Sequence, residues 1–131
     1  MTETLTQTLP VTVTVTVTHE IPVERIKDLL CNTIEGGGSN YWCNTMDRMG
    51  GITREQAPYR QDVPFVEGGW LDVVDDDGGQ HRLDLEAIKK GLNVFAEKCP
   101  SHFADFIAEN DDACTGDCFL QCCLFGEVIY G

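Results

Sequence analysis

Trp70-Leu-Asp-Val-Val-Asp-Asp-Asp-Gly-Gly-Gln-His-Arg-Leu-Asp84 decides the fold. Two short runs, 70–75 and 80–83, flank an Asp-Gly turn, which is the signature of a β-hairpin. Asp84 then stands where a helix N-cap belongs, because its carboxylate accepts a free first-turn N–H. Leu85, Ile88, Leu92, Phe95 and Cys99 follow at helical spacing and make one apolar face. Pro100 stops that helix. Ser101 caps the next, with Phe103, Phe106 and Ile107 on one side and Asn110-Asp-Asp112 at its end.

Upstream, Val11-Thr-Val-Thr-Val-Thr-Val-Thr18 is the strongest strand signal in the chain, with alternating β-branched residues. Such a bare edge invites aggregation, so the run is expected to be paired or covered, its valines facing the helices. Pro22 opens a helix over about 22–34 on Val23, Ile26, Leu29, Leu30 and Ile34, ended by Gly36-Gly-Gly38. Residues 40–46 read as a second strand. Residues 47–62 read as a long loop, either functional or mobile. Val63-Pro-Phe-Val66 reads as an extended edge piece. Residues 115–125 are apolar nearly all round, and periodicity alone leaves helix or strand open, with helix preferred. Val128-Ile-Tyr130 reads as a short last strand. The expectation is an α+β fold, with an antiparallel or mixed sheet of about 4–5 strands and three to four helices on one face. Residues 1–9 are expected to be a flexible N-terminus and 10–131 a single domain.

The 131 residues carry nine Lys/Arg against 22 Asp/Glu, a net charge of −13. An apolar fraction of 42% with 24% charged is globular rather than disordered. A chain of this length buries roughly two-thirds of its unfolded surface, so a core is within reach without disulfides. No run approaches the roughly 18 apolar residues of a membrane helix. The N-terminus has neither the basic start nor the apolar stretch of a signal peptide. Strong negative charge argues against direct binding of nucleic acid or an anionic membrane. Seven cysteines, an odd number, with mostly apolar flanks point to reduced thiols and a cytoplasmic setting.

Four groups of residues bear chemistry. The first is acidic. Residues 67–131 hold 14 of the 22 acids but only four of the nine bases. Asp75, Asp76 and Asp77, then Asp84 and Glu86, then Asp105, Glu109, Asp111 and Asp112 come from separate elements. Their apolar neighbours must face the core, which leaves the carboxylates outside. Converging, they imitate spaced phosphates and suit a basic, nucleic-acid-binding partner protein. The plain alternative is that they keep the protein soluble. Hard-cation binding is disfavoured, since no EF-hand spacing is present.

The second group is aromatic. Tyr41, Trp42 and Trp70 can form a stacking platform for a nucleotide-like ligand, although Tyr41 and Trp42 alternate faces in a strand, so one is expected in the core. The third is Cys99-x2-His102 with Cys114-x3-Cys118, four soft ligands of the kind zinc takes, without a Cys-x2–4-Cys knuckle. Cys114, Cys118 and Cys122 also form a helical stripe of small residues, which packing explains equally well. The fourth is Glu35-Gly-Gly-Gly-Ser-Asn40. A phosphate loop runs strand, loop, helix; here the order is helix, loop, strand, so a plain connection is favoured. No nucleophile elbow or cysteine-protease context is present, so a catalytic set is not expected. The cofactor expectation is none, with zinc as the exception to test.

Glu35-Gly-Gly…Asn40-Tyr-Trp42, His102-Phe-Ala-Asp-Phe-Ile-Ala-Glu-Asn-Asp111 and Phe119-Leu-Gln…Leu124-Phe-Gly-Glu127 resemble a family of small proteins carried by phages, prophages and other mobile elements. The resemblance covers most of residues 20–131. It implies a genomic setting and brings no activity, cofactor or catalytic residue with it. Small acidic proteins in that setting are often inhibitors of host defence, by analogy with anti-CRISPR and anti-restriction proteins. The leading expectation is therefore a non-enzymatic inhibitor in the host cytoplasm, working through its acidic surface. The alternatives are a ligand-sequestering module at Trp42 and Trp70, or a zinc protein or enzyme at His102 and the C-terminal cysteines.

Overall fold

A computed structural model describes residues 10–131; residues 1–9, expected to be flexible, lie outside the described residues. The fold is α+β. Helix α1 (Val23–Ile34) leads to strand β1 (Cys43–Met49) and a 3-10 helix (Arg60–Phe65). The hairpin β2 (Trp70–Asp75) and β3 (Gln80–Leu83) follows, then α2 (Leu85–Lys98), α3 (Pro100–Ile107) and α4 (Ala113–Phe125). The sheet has three strands in the order β1-β2-β3, all antiparallel.

Local signals account for most element ends. Asp84 accepts the Ala87 N–H at 2.9 Å and caps α2. Asp112 accepts the Thr115 N–H at 2.9 Å, and the Thr115 hydroxyl accepts the Asp112 N–H, closing a box at the start of α4. Pro100 takes the first position of α3 with Cys99 as N-cap, two residues earlier than the expected Ser101 cap. Gly37 turns the chain out of α1 with φ +74.

Along β2, Leu71, Val73 and Asp75 point inward and alternate with half-buried neighbours. Leu71 pairs with Leu83, and Val73 with Met46 and His81, so one sheet face is apolar. Helix α4 packs against both α1 and α2 and is buried on nearly every side through Thr115–Cys122. Two glycines permit that. A Cβ on Gly116 would lie 2.8 Å from the Leu29 carbonyl oxygen, and one on Gly91 would lie 2.7 Å from Cys123 Cα. Phe95, Phe106 and Phe119 complete the buried cluster.

Four expectations are corrected. Val11–Thr18 forms no strand, and its valines are 64–87% exposed rather than turned to the helices. β-Propensity describes a fit to a pleated surface with a neighbour, and among the described residues no strand pairs with this run. Residues 63–66 lie in and just after a 3-10 helix rather than in an extended piece, with Pro64 inside it. Residues 128–130 are not a strand: the Ile129 and Tyr130 N–H groups donate to the Gln121 side chain, each at 2.8 Å. The sheet accordingly has three strands rather than 4–5. Residues 115–125 are helical, as preferred, because Asp112 supplies the cap and α1 and α2 supply two packing faces.

Candidate metal centre

Helices α3 and α4 meet beside the Cys99-Pro100 junction. Cys114 and Cys118 are one turn apart on α4 and share a face. His102 lies in the first turn of α3. One ligand atom from each of His102, Cys114 and Cys118 falls within 4.8 Å of the other two. Tetrahedral zinc spaces thiolate and imidazole ligands by about 3.6 Å, so closure needs a contraction of roughly 1 Å, within the reach of side-chain rotation. Cys118 is nearly buried, His102 is half-buried and Cys114 is exposed. A cation held there would have protein on three sides and solvent on the fourth.

Two further features mark the cluster. His102 Nδ1 is buried without a hydrogen-bond partner among the described residues. An orphaned buried acceptor or donor loses roughly 1–3 kcal/mol of solvation, and coordination to a cation restores a partner. The second feature is the crowding of thiols. Burial, then the neighbouring Cys114 and Cys99, push the Cys118 thiol up to about 12. The Cys122 thiol is likewise pushed up to about 12, by burial and then by Cys99. Thiolates formed there would repel one another, and a divalent cation would supply the counter-charge.

Cys99 does not join the three. Its Sγ sits 3.8 Å from Cys122 Sγ. It is the non-helical N-cap of α3, whereas His102 is carried onto the adjoining turn. The four-ligand expectation thus becomes three ligands plus a neighbouring Cys99–Cys122 pair.

The aromatic platform is not assembled. Trp42 is 2% exposed, stacked on Tyr130 at 5.1 Å and edge-on to Phe125. Its carbonyl accepts the Asp76 N–H, beyond the last residue of β2. Trp70 is the first residue of that strand, under the Arg82 guanidinium at 4.3 Å. The two tryptophans therefore sit by opposite ends of a six-residue strand. Tyr41 is exposed, with only its hydroxyl engaged. Nor is residues 35–40 an open phosphate cradle: Gly38 is pressed against the Ala113 carbonyl, leaving no room for a Cβ.

The acidic set divides in two. Asp75 is buried and holds the hairpin, accepting N–H groups of Asp77 and Gly79 and facing His81 Nε2, all at 2.9 Å. The His81 contact, then the Gly79 N–H, hold its carboxyl below the usual range. Asp111 binds Arg25 at 2.9 Å and Asn32 at 2.8 Å, tying the segment after α3 to α1. Asp84 and Asp112 cap helices. These four carboxylates serve the fold, because a free backbone N–H or a half-buried guanidinium captures a nearby carboxylate before solvent does. Asp76, Asp77, Glu86, Asp105 and Glu109 remain exposed.

One residue escaped the sequence reading. Asp117, inside the apolar run of α4, is 5% exposed and accepts Ser39 Oγ and Trp42 Nε1 at 2.7 Å, Tyr41 OH at 2.6 Å and Gln121 Nε2 at 3.1 Å. Thr33 bonds Ser39 behind it. This carboxylate is satisfied by neutral donors and pins residues 39–42 onto α4. A charged residue in an apolar helix was the available signal. No protein-family model, curated protein or solved structure matches the chain.

Proposed function

We propose that the protein binds a soft divalent cation of the zinc class through His102, Cys114 and Cys118. The convergence of these three ligand atoms within 4.8 Å, one residue of the three carrying an orphaned ring nitrogen, supports the reading. Three protein ligands with a solvent-facing fourth position leave the cation able to exchange its outer ligand. The thiols must lose protons to bind, so affinity rises with pH across the neutral range. The test is titration of the reduced full chain with zinc and cobalt(II). One equivalent, a thiolate-to-cobalt charge-transfer band and its loss in Cys114→Ser are expected, while Cys31→Ser, a thiol on α1, binds as before. Absence of stoichiometric binding, or binding untouched by Cys114→Ser, overturns the reading.

A second reading rests on charge. The net −13 and the exposed carboxylates of Asp76, Asp77, Glu86, Asp105 and Glu109 support an inhibitor that meets a basic, nucleic-acid-binding protein in a host cytoplasm. The resemblance to mobile-element proteins gives that setting. Asp76→Lys with Asp77→Lys should abolish capture of such a partner at low salt and leave the fold intact, because neither side chain bonds within the described structure. Capture that persists in the double variant counts against it.

A further inference from the structure

The chain has five arginines, and three of them, Arg48, Arg54 and Arg60, line one polar cavity of 520 Å³. They come from β1, the loop after it and the first residue of the 3-10 helix, all within or beside the long 47–62 stretch. Elsewhere Arg25, Lys27, Arg82 and Lys89 each pair with a carboxylate. None of the three cavity arginines has a carboxylate oxygen within ion-pair distance among the described residues. Two are instead held by backbone: Arg48 donates to the Ala57 carbonyl at 2.8 Å, and Arg60 to the Met46 carbonyl at 3.4 Å. Each keeps its remaining donors uncommitted. In a chain of net charge −13, three unneutralised guanidiniums facing one cavity form a local reversal of sign.

The remaining lining narrows the ligand class. Tyr59 stands at the cavity 61% exposed, a ring face free for stacking. Glu35 and Asp47 also line it and offer acceptors. A bare multivalent anion gains from the arginines but is repelled by the two carboxylates. A ligand that joins a phosphate to hydroxyl and amino donors and to a flat ring uses all of them. The volume falls within the range of small-ligand sites, roughly 300–1,000 Å³. Guanidinium forks suit phosphate oxygens in paired hydrogen bonds.

We propose that the Arg48–Arg54–Arg60 cavity binds a nucleoside monophosphate, its phosphate on the arginines and its base on Tyr59. The site is independent of the metal reading and uses none of its residues. It moves a nucleotide-like ligand from the buried Trp42 to an exposed tyrosine on a different loop.

Calorimetric titration of the full chain at low ionic strength, with each of the four common ribonucleoside monophosphates and with inorganic phosphate, tests this. At least one nucleotide should bind one-to-one and more tightly than phosphate. Arg54→Ala, exposed and without a hydrogen bond in the described structure, should weaken binding about tenfold or more, the loss of one charge-assisted contact. Tyr59→Leu should weaken the nucleotide and leave phosphate unchanged. Lys90→Ala, an equal charge change on α2, should have no effect. No binding of any nucleotide, equal affinity for nucleotide and phosphate, or equal weakening by Arg54→Ala and Lys90→Ala overturns the proposal.

Discussion

Asp117 shows how one side chain organises its surroundings. Its carboxylate gathers two buried donors, Ser39 Oγ and Trp42 Nε1, and two more from Tyr41 and Gln121. Gln121, one turn on, uses both ends of its amide. Its oxygen accepts Ile129 and Tyr130 N–H groups, and its nitrogen reaches Asp117 and the Tyr130 carbonyl. These two polar residues of α4 thus hold the segment before β1 and the segment after α4 in one network. Asp117→Ala should destabilise the protein by about 3 kcal/mol or more, since each buried donor left without an acceptor costs roughly 1–3 kcal/mol. Asp117→Asn, which keeps one acceptor oxygen, should lose less. Urea denaturation of the three proteins gives the order. Tyr41 registers the same carboxylate from the surface: burial of its hydroxyl, then the hydrogen bond to Asp117, push its ionisation well above the ordinary tyrosine value.

At the scale of elements, the helices were legible and the Val-Thr run was not. The stripe Ile26, Leu29, Leu30 and Ile34 and the stripe Ile88 and Phe95 are buried as their spacing requires. Caps at Asp84 and Asp112 act within three residues of their targets, so local chemistry suffices. A strand is different, because its backbone groups need a partner from elsewhere in the chain. Val11–Thr18 has perfect alternation and no such partner among the described residues. Val15→Asp and Thr14→Asp should therefore change the unfolding free energy by similarly small amounts, within about 0.5 kcal/mol in urea denaturation, as exposed substitutions do. A collapse of Val15→Asp alone would show that this face is covered in the folded protein.

At the scale of the molecule, the thiols couple stability to alkaline pH. Burial first, then neighbouring thiols, push Cys118 and Cys122 up from an ordinary value of 9.0 to about 12. Cys123, raised chiefly by burial, adds to them. The folded state holds these protons after the unfolded chain has released them. Their contribution is fully present below pH 9 and is lost as the pH rises towards 12. Denaturation midpoints of the reduced protein should fall across that window, and Cys122→Ala should flatten the profile. A profile independent of pH above 9 in the parent protein would contradict the burial of these groups.

What the sequence by itself determined was whatever two or three turns of chain can decide. The hairpin at Asp76–Gly79, the apolar faces of α1 and α2, the cap at Asp84 and the α+β class all follow from spacing and turn chemistry. The tertiary structure alone decided which residues meet. Tyr41 and Trp42 are equal candidates for the core until α4 brings Asp117, 75 residues beyond Trp42, to the indole. Asp111 is a surface acid until Arg25, 86 residues away, reaches it, and Asp75 is one until the turn folds its N–H groups back. His102 joins Cys114 and Cys118 only because α3 ends where the chain can reverse onto it. The arginines of the 47–62 stretch converge only once β1 and the 3-10 helix are set side by side. The physical reason is the same throughout. Propensity and periodicity act along the chain, whereas desolvation, ion pairing and ligand geometry depend on partners that the chain brings in from far away.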